Sequence, residues 1–116
     1  MQRRFGLAFD PMTEVCPLIG SKEGLVHLCH AFVQRGEAVV VPEPGYLAYL
    51  GGALLSEGEV VPYAIRPRTR FLVELDELPE DVLRRTKFVF LNYPNNPTAA
   101  VAPRDYLARV VRTCRE

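Results

Sequence analysis

The sequence predicts an α/β protein: three layers, α/β/α, around a mainly parallel sheet of about four strands. Three observations lead there. Short runs of apolar and β-branched residues alternate with stretches of helical periodicity. Glycine and proline signals separate the two kinds of segment at Gly20, Gly36, Pro44-Gly45, Gly58 and Asn92–Pro97. The run Ala38–Val41 is continuously apolar rather than alternating, as expected of a strand covered on both faces.

The elements follow in order. Residues 14–19, Glu-Val-Cys-Pro-Leu-Ile, form a short apolar run read as a first strand, ending at Gly20. Ser21 opens a helix of roughly 13 residues with Leu25, Val26, Leu28, Cys29, Phe32 and Val33 in helical spacing, closed by Gly36. Ala38–Val41 is the second strand. Tyr46–Leu55 is a helix weakened by Gly51 and Gly52, and Glu59–Ile65 is the third strand. Leu75–Leu83 reads as a short helix in which Pro79 starts a new turn. Phe88–Leu91 is the fourth strand, Asn92–Pro97 a rigid loop, and Arg104–Arg115 a last helix with Pro103 at its first position. Strands alternating with helices imply parallel pairing and right-handed crossovers. No repeat or second domain interrupts residues 1–116, which are expected to form a single domain.

Composition bounds the function. Apolar residues make up 48%, which argues for a packed core. Formal net charge is zero, against a nucleic-acid partner or a polybasic membrane surface. No run reaches the roughly 18 apolar residues of a membrane span, and the start lacks a signal-peptide core, so a cytoplasmic location is expected. Cys16, Cys29 and Cys114 are odd in number and lack metal-ligand spacing; His27 and His30 share a helix face without a partnering carboxylate or thiolate. Neither a disulfide scaffold nor a metal site is expected.

Three loops carry the chemistry. Gly20-Ser21-Lys22-Glu23-Gly24 opens a helix, and free N–H groups at a helix start suit an anion such as phosphate, although simple capping would produce the same pattern. Pro44-Gly45-Tyr46 follows a strand, so Tyr46 stands where a parallel sheet binds ligands and is able to stack on a flat ring; anchoring its own helix is the equal alternative. In Asn92-Tyr93-Pro94-Asn95-Asn96-Pro97-Thr98 the prolines fix the backbone, and the asparagines either close the loop on itself or offer an amide to a ligand. Each loop follows a strand, so all three fall on one sheet edge.

Read together, GSKEG, VPEPGYLAY and FLNYPNNPT resemble the class I/II, fold-type-I aminotransferases, in the branch that includes aspartate and LL-diaminopimelate aminotransferases. The resemblance runs from about Asp10 onward and implies the central part of that family's large domain. It implies pyridoxal 5'-phosphate as cofactor, with Gly20, Ser21 and Lys22 on the phosphate, Tyr46 stacked on the ring, and Asn96 at the ring hydroxyl and the substrate carboxylate. The complete enzyme would move an amino group between an amino acid and a 2-oxo acid. The Asp that pairs with the ring nitrogen, the Schiff-base Lys and the carboxylate-binding Arg would all follow residue 116. Catalytic residues are therefore expected to be absent, with neither Lys22 nor Lys87 a substitute, and the chain inactive alone. The alternative is a non-catalytic truncated domain, or a pseudogene product, that folds by self-association or with a partner chain. One position departs from the family pattern: Ala99 stands where the motif continues with glycine. The family arrangement also implies that the second, third and fourth strands lie in the order 4-2-3. The first would be left free to move in beside the fourth, as 1-4-2-3, or else two chains would pair across the open edge as a homo-oligomer.

Overall fold

The computed structural model describes residues 1–115. The chain forms α1 (Gln2–Phe5), α2 (Ser21–Phe32), β1 (Ala38–Glu43), α3 (Leu47–Leu55), β2 (Glu59–Ala64), two 3₁₀ turns (Pro67–Thr69 and Leu75–Glu77), α4 (Glu80–Arg85), β3 (Thr86–Val89) and α5 (Arg104–Thr113). The three strands form one sheet in the order β2-β1-β3, with both pairs parallel.

β1 is central because its side chains satisfy two cores at once. Val39 and Val41 pack with Cys29 and Val33 from the α2 region and Tyr49 and Ala53 of α3. Val40 points the other way, into Tyr63, Ile65, Leu72, Val73, Leu75, Tyr106 and Val110. Successive residues of a strand face opposite sides, so an unbroken valine run builds a sheet with helices above and below. The three-layer arrangement follows: α2 and α3 on one face, α5 and the 71–75 segment on the other.

β1, β2 and β3 are the predicted second, third and fourth strands, and their order is the expected 4-2-3. The predicted first strand does not form. Residues 14–19 lie in no strand and are exposed, and the sheet has three strands rather than four, so the order 1-4-2-3 is not adopted. Two physical reasons account for this. A strand exists only by pairing, and Pro17 removes a ladder donor from the middle of the run. The preceding residues are instead turned by Asp10, whose carboxylate accepts the Met12 N–H (2.9 Å) and the Thr13 hydroxyl (2.9 Å). These two bonds hold the Asp10 carboxyl below its ordinary range.

Smaller departures have local causes. The predicted helix Leu75–Leu83 divides into a 3₁₀ turn and α4 because Pro79 forces Leu78 into an extended conformation, φ −80° and ψ 143°. Pro103 takes the cap position of α5 rather than its first helical position. β3 begins two residues earlier than predicted, and Lys87 is bulged out between the Ala38–Thr86 and Val39–Phe88 pairs. Arg85 makes a two-pronged pair with Glu59, tying α4 to β2.

Candidate functional site

The carboxyl ends of β1 and β3 open onto the two proline-containing loops, and both loops hold cis X-Pro bonds, at Glu43-Pro44, Tyr93-Pro94 and Asn96-Pro97. Gly45 cannot be any other residue without rebuilding the first loop: a methyl group there would run into the Pro42 carbonyl oxygen. That tight approach delivers Tyr46 to the cap of α3, half-buried, with its ring edge-on to Tyr49 at 5.7 Å and 83°. Tyr49, stacked on Phe90 at 4.5 Å, is the core tyrosine of this helix. Tyr46 keeps part of its surface open.

α2 starts beside it. Gly20 caps the helix at φ 133° and ψ 150°, a conformation that side chains resist. Glu23 reaches back to accept the Ile19 N–H at 2.8 Å, in the manner of a capping box. Ser21 and Lys22 are exposed, and Ser21 occupies the first helical position rather than the cap. The Lys22 ammonium lies over the Tyr46 ring, 5.6 Å from its centroid, within the range of a cation–π contact. Sequence spacing could not have shown this contact, which joins residues 24 positions apart. It brings the two predicted subsites, the helix start with its cation and the aromatic face, to one place.

The third loop separates the two asparagine roles that the sequence left open. Asn95 is buried and closes the loop on itself: its amide donates to the Thr98 hydroxyl (2.9 Å), its N–H to the Ala100 carbonyl (2.8 Å), and its carbonyl accepts the Ala99 N–H (2.7 Å). Asn96 is exposed at the apex. Its loop follows β3, which adjoins β1, so Asn96 stands on the same sheet edge as Tyr46. Ala99 adopts φ 57°, the left-handed conformation that the glycine of the family motif would accept freely. Lys87 sits at the amino-terminal end of β3, away from these loops, and pairs with Glu37 at 3.8 Å. Among the described residues, no group of three or more His, Cys, Asp or Glu side chains could hold a metal ion.

This donor set fits a ligand with an anionic group at one end and a flat ring at the other. A helix start and an ammonium would take the anion, an aromatic face the ring, and an exposed amide a ring substituent.

A parallel three-layer α/β protein with its loops gathered at the carboxyl strand ends belongs to the class that binds small ligands at that edge. The chain belongs to the class I and II aminotransferase family, whose model matches residues 1–116. It is 49% identical over 114 residues to the LL-diaminopimelate aminotransferase of Desulforudis audaxviator, covering 98% of this chain and 29% of that protein. It is 44% identical over 115 residues to the LL-diaminopimelate aminotransferase of Syntrophobacter fumaroxidans, covering 99% and 30%. Among solved structures, substrate-bound BacF from Bacillus subtilis superposes with a TM-score of 0.92 at 33% identity, covering 98% of this chain and 29% of that one. A probable N-succinyldiaminopimelate aminotransferase from Thermus thermophilus gives 0.88 at 37%, covering 98% and 30%. The chain thus spans about three-tenths of the length of these relatives. Members of the family use pyridoxal 5'-phosphate.

Proposed function

We propose that this chain is the cofactor-cradling part of a pyridoxal-phosphate-dependent aminotransferase. In the whole protein the reaction is amino transfer between an amino acid and a 2-oxo acid. The observation that carries the reading is the Lys22–Tyr46 contact, which places a cation and an aromatic face together at the carboxyl edge of the sheet. In this reading Gly20 and Ser21 offer backbone N–H groups and a hydroxyl to the phosphate, and Lys22 neutralises it. Tyr46 supports one face of the ring. Asn96 donates its amide to the ring hydroxyl and orients the substrate carboxylate. When bound, the cofactor supplies an electron sink for the carbon that exchanges its amino group. The residues of this chain bind and orient; none of them moves a proton. Residues 1–116 act as one folding unit, in a cytoplasmic protein.

Titration of the purified chain with pyridoxal 5'-phosphate and with pyridoxal tests this. Tyr46→Ala is expected to weaken both ligands by up to about tenfold, the upper range of an aromatic pair. Lys22→Ala is expected to weaken the phosphorylated ligand alone. Equal affinities for the two ligands in the unmodified chain would sink the phosphate assignment.

A second reading, a non-catalytic domain completed by self-association or by a partner chain, draws on a separate observation. Residues 1–20 are exposed throughout, with Phe5, Met12 and Ile19 at 57%, 86% and 99%. Sedimentation that gives a monomer at all concentrations would count against the self-associating form.

A further inference from the structure

We propose that Tyr93 is a positioning residue for Asn96: it fixes the Asn92–Thr98 loop to a strained backbone shelf at residues 70–73. The inference rests on the reading of Asn96 given above.

The bonds of Asn95 to Thr98, Ala99 and Ala100 make the loop rigid within itself, but they do not fix its height over the sheet. Tyr93 does that. Its half-buried ring meets Tyr106 edge-on at 5.9 Å and 87°. Its hydroxyl accepts the Val73 N–H at 3.3 Å and donates to the Phe71 carbonyl at 3.4 Å. Tyr106 completes the bracket by donating to the Val73 carbonyl at 2.8 Å. Both backbone polar groups of Val73, a residue 1% exposed, are therefore held by tyrosine hydroxyls.

The shelf is built to stay in place. Arg70 and Phe71 are successive non-glycine residues in the left-handed region, at φ 53° and φ 59°. Such residues persist where their surroundings over-determine them. Here Leu72, Val73 and Leu75 are buried in the core beneath, and the Phe71 N–H returns to the Arg66 carbonyl at 2.9 Å. The Tyr93 hydroxyl lies between two backbone partners, both near the long limit of a hydrogen bond. Its removal leaves the ring packing intact and releases the tilt of the loop, three residues before Asn96.

The test is a double-mutant cycle on the full chain, with pyridoxal 5'-phosphate as the probe. Tyr93→Phe is expected to weaken binding about fivefold where Asn96 is present and to have no effect in Asn96→Ala, a coupling in the ordinary range for linked residues. Equal weakening in both backgrounds would mean a merely structural role and would overturn the proposal, as would no weakening in either. If Asn96→Ala binds like the unmodified chain, the Asn96 reading fails instead, and amide exchange decides the positioning. Tyr93→Phe should then speed exchange at the Asn95 and Ala99 amides about fivefold and leave Val39 and Val40 unchanged; unchanged loop amides would overturn it. Should Tyr93→Phe not fold, Tyr106→Phe takes its place, with the same expected coupling and the same refutation.

Discussion

Replacing Ala99 with glycine should make this protein more stable, which is unusual for a substitution that adds backbone freedom. Ala99 sits at φ 57°. For an L-residue with a β-carbon, that conformation costs about 1–2 kcal/mol. Glycine removes this penalty but gains freedom in the unfolded chain, which costs about 0.4–1 kcal/mol. Ala99 is exposed, so little packing is lost with its methyl group. The net expectation is a stabilisation of about 0.8 kcal/mol, or an upward shift in Tm of roughly 3–6 °C. Urea unfolding followed by far-ultraviolet circular dichroism reads it directly: the midpoint should rise while the slope stays constant. Ala100→Gly is the control. Ala100 is not among the positive-φ residues, so only the unfolded-state term operates, and that variant should lose about 0.4–1 kcal/mol. If Ala99→Gly and Ala100→Gly destabilise alike, the left-handed turn after Thr98 does not exist in solution.

Two further expectations concern other parts of the molecule. Gly45→Ala should cost about 1–3 kcal/mol, because its methyl group must displace the Pro42 carbonyl or the loop that carries Tyr46; unfolding in urea measures it, and a neutral result would refute the close approach. Stability should also fall in alkali. Burial raises the Cys29 thiol above its ordinary 9.0 and Tyr49 and Tyr63 above 10.0, while burial and then the Tyr93 hydroxyl raise Tyr106. Folding thus keeps protons that the unfolded chain releases. The stabilisation is complete below those ordinary values and is lost as pH rises through them toward the folded-state values. Urea midpoints from about pH 8 to about pH 10.5 should decline, and Tyr106→Phe should flatten the decline; a rising limb would contradict the sign.

The central strand was legible because Val39, Val40 and Val41 are β-branched and leave no polar face, a pattern that suits a short doubly covered strand. The loops were legible because proline and glycine restrict the backbone whatever surrounds them. Residues 14–19 misled because apolar content predicts burial in general but names no partner, and a strand is a relation between two segments. The roles of Asn95 and Asn96 were not separable from composition, since one amide next to another differs only in which way the turn aims it. The Lys22–Tyr46 contact and the Tyr93–Val73–Tyr106 bracket join residues distant in sequence, and one sequence carries no record of such pairings.

The parallel register also sets an order of events as the chain folds. Ala38 pairs with Glu59, 21 residues on, and with Thr86, 48 residues on. Closing the shorter loop is entropically easier, and its contacts are the more local. The unit α2-β1-α3-β2 is therefore expected to assemble first, with Lys22 and Tyr46 already in place, and β3 to join it later with its loop. The part of the proposed site that joins Lys22 to Tyr46 is then expected to precede the part that carries Asn96. A chain that has left the ribosome only as far as its first two strands is expected to hold the Lys22–Tyr46 contact already.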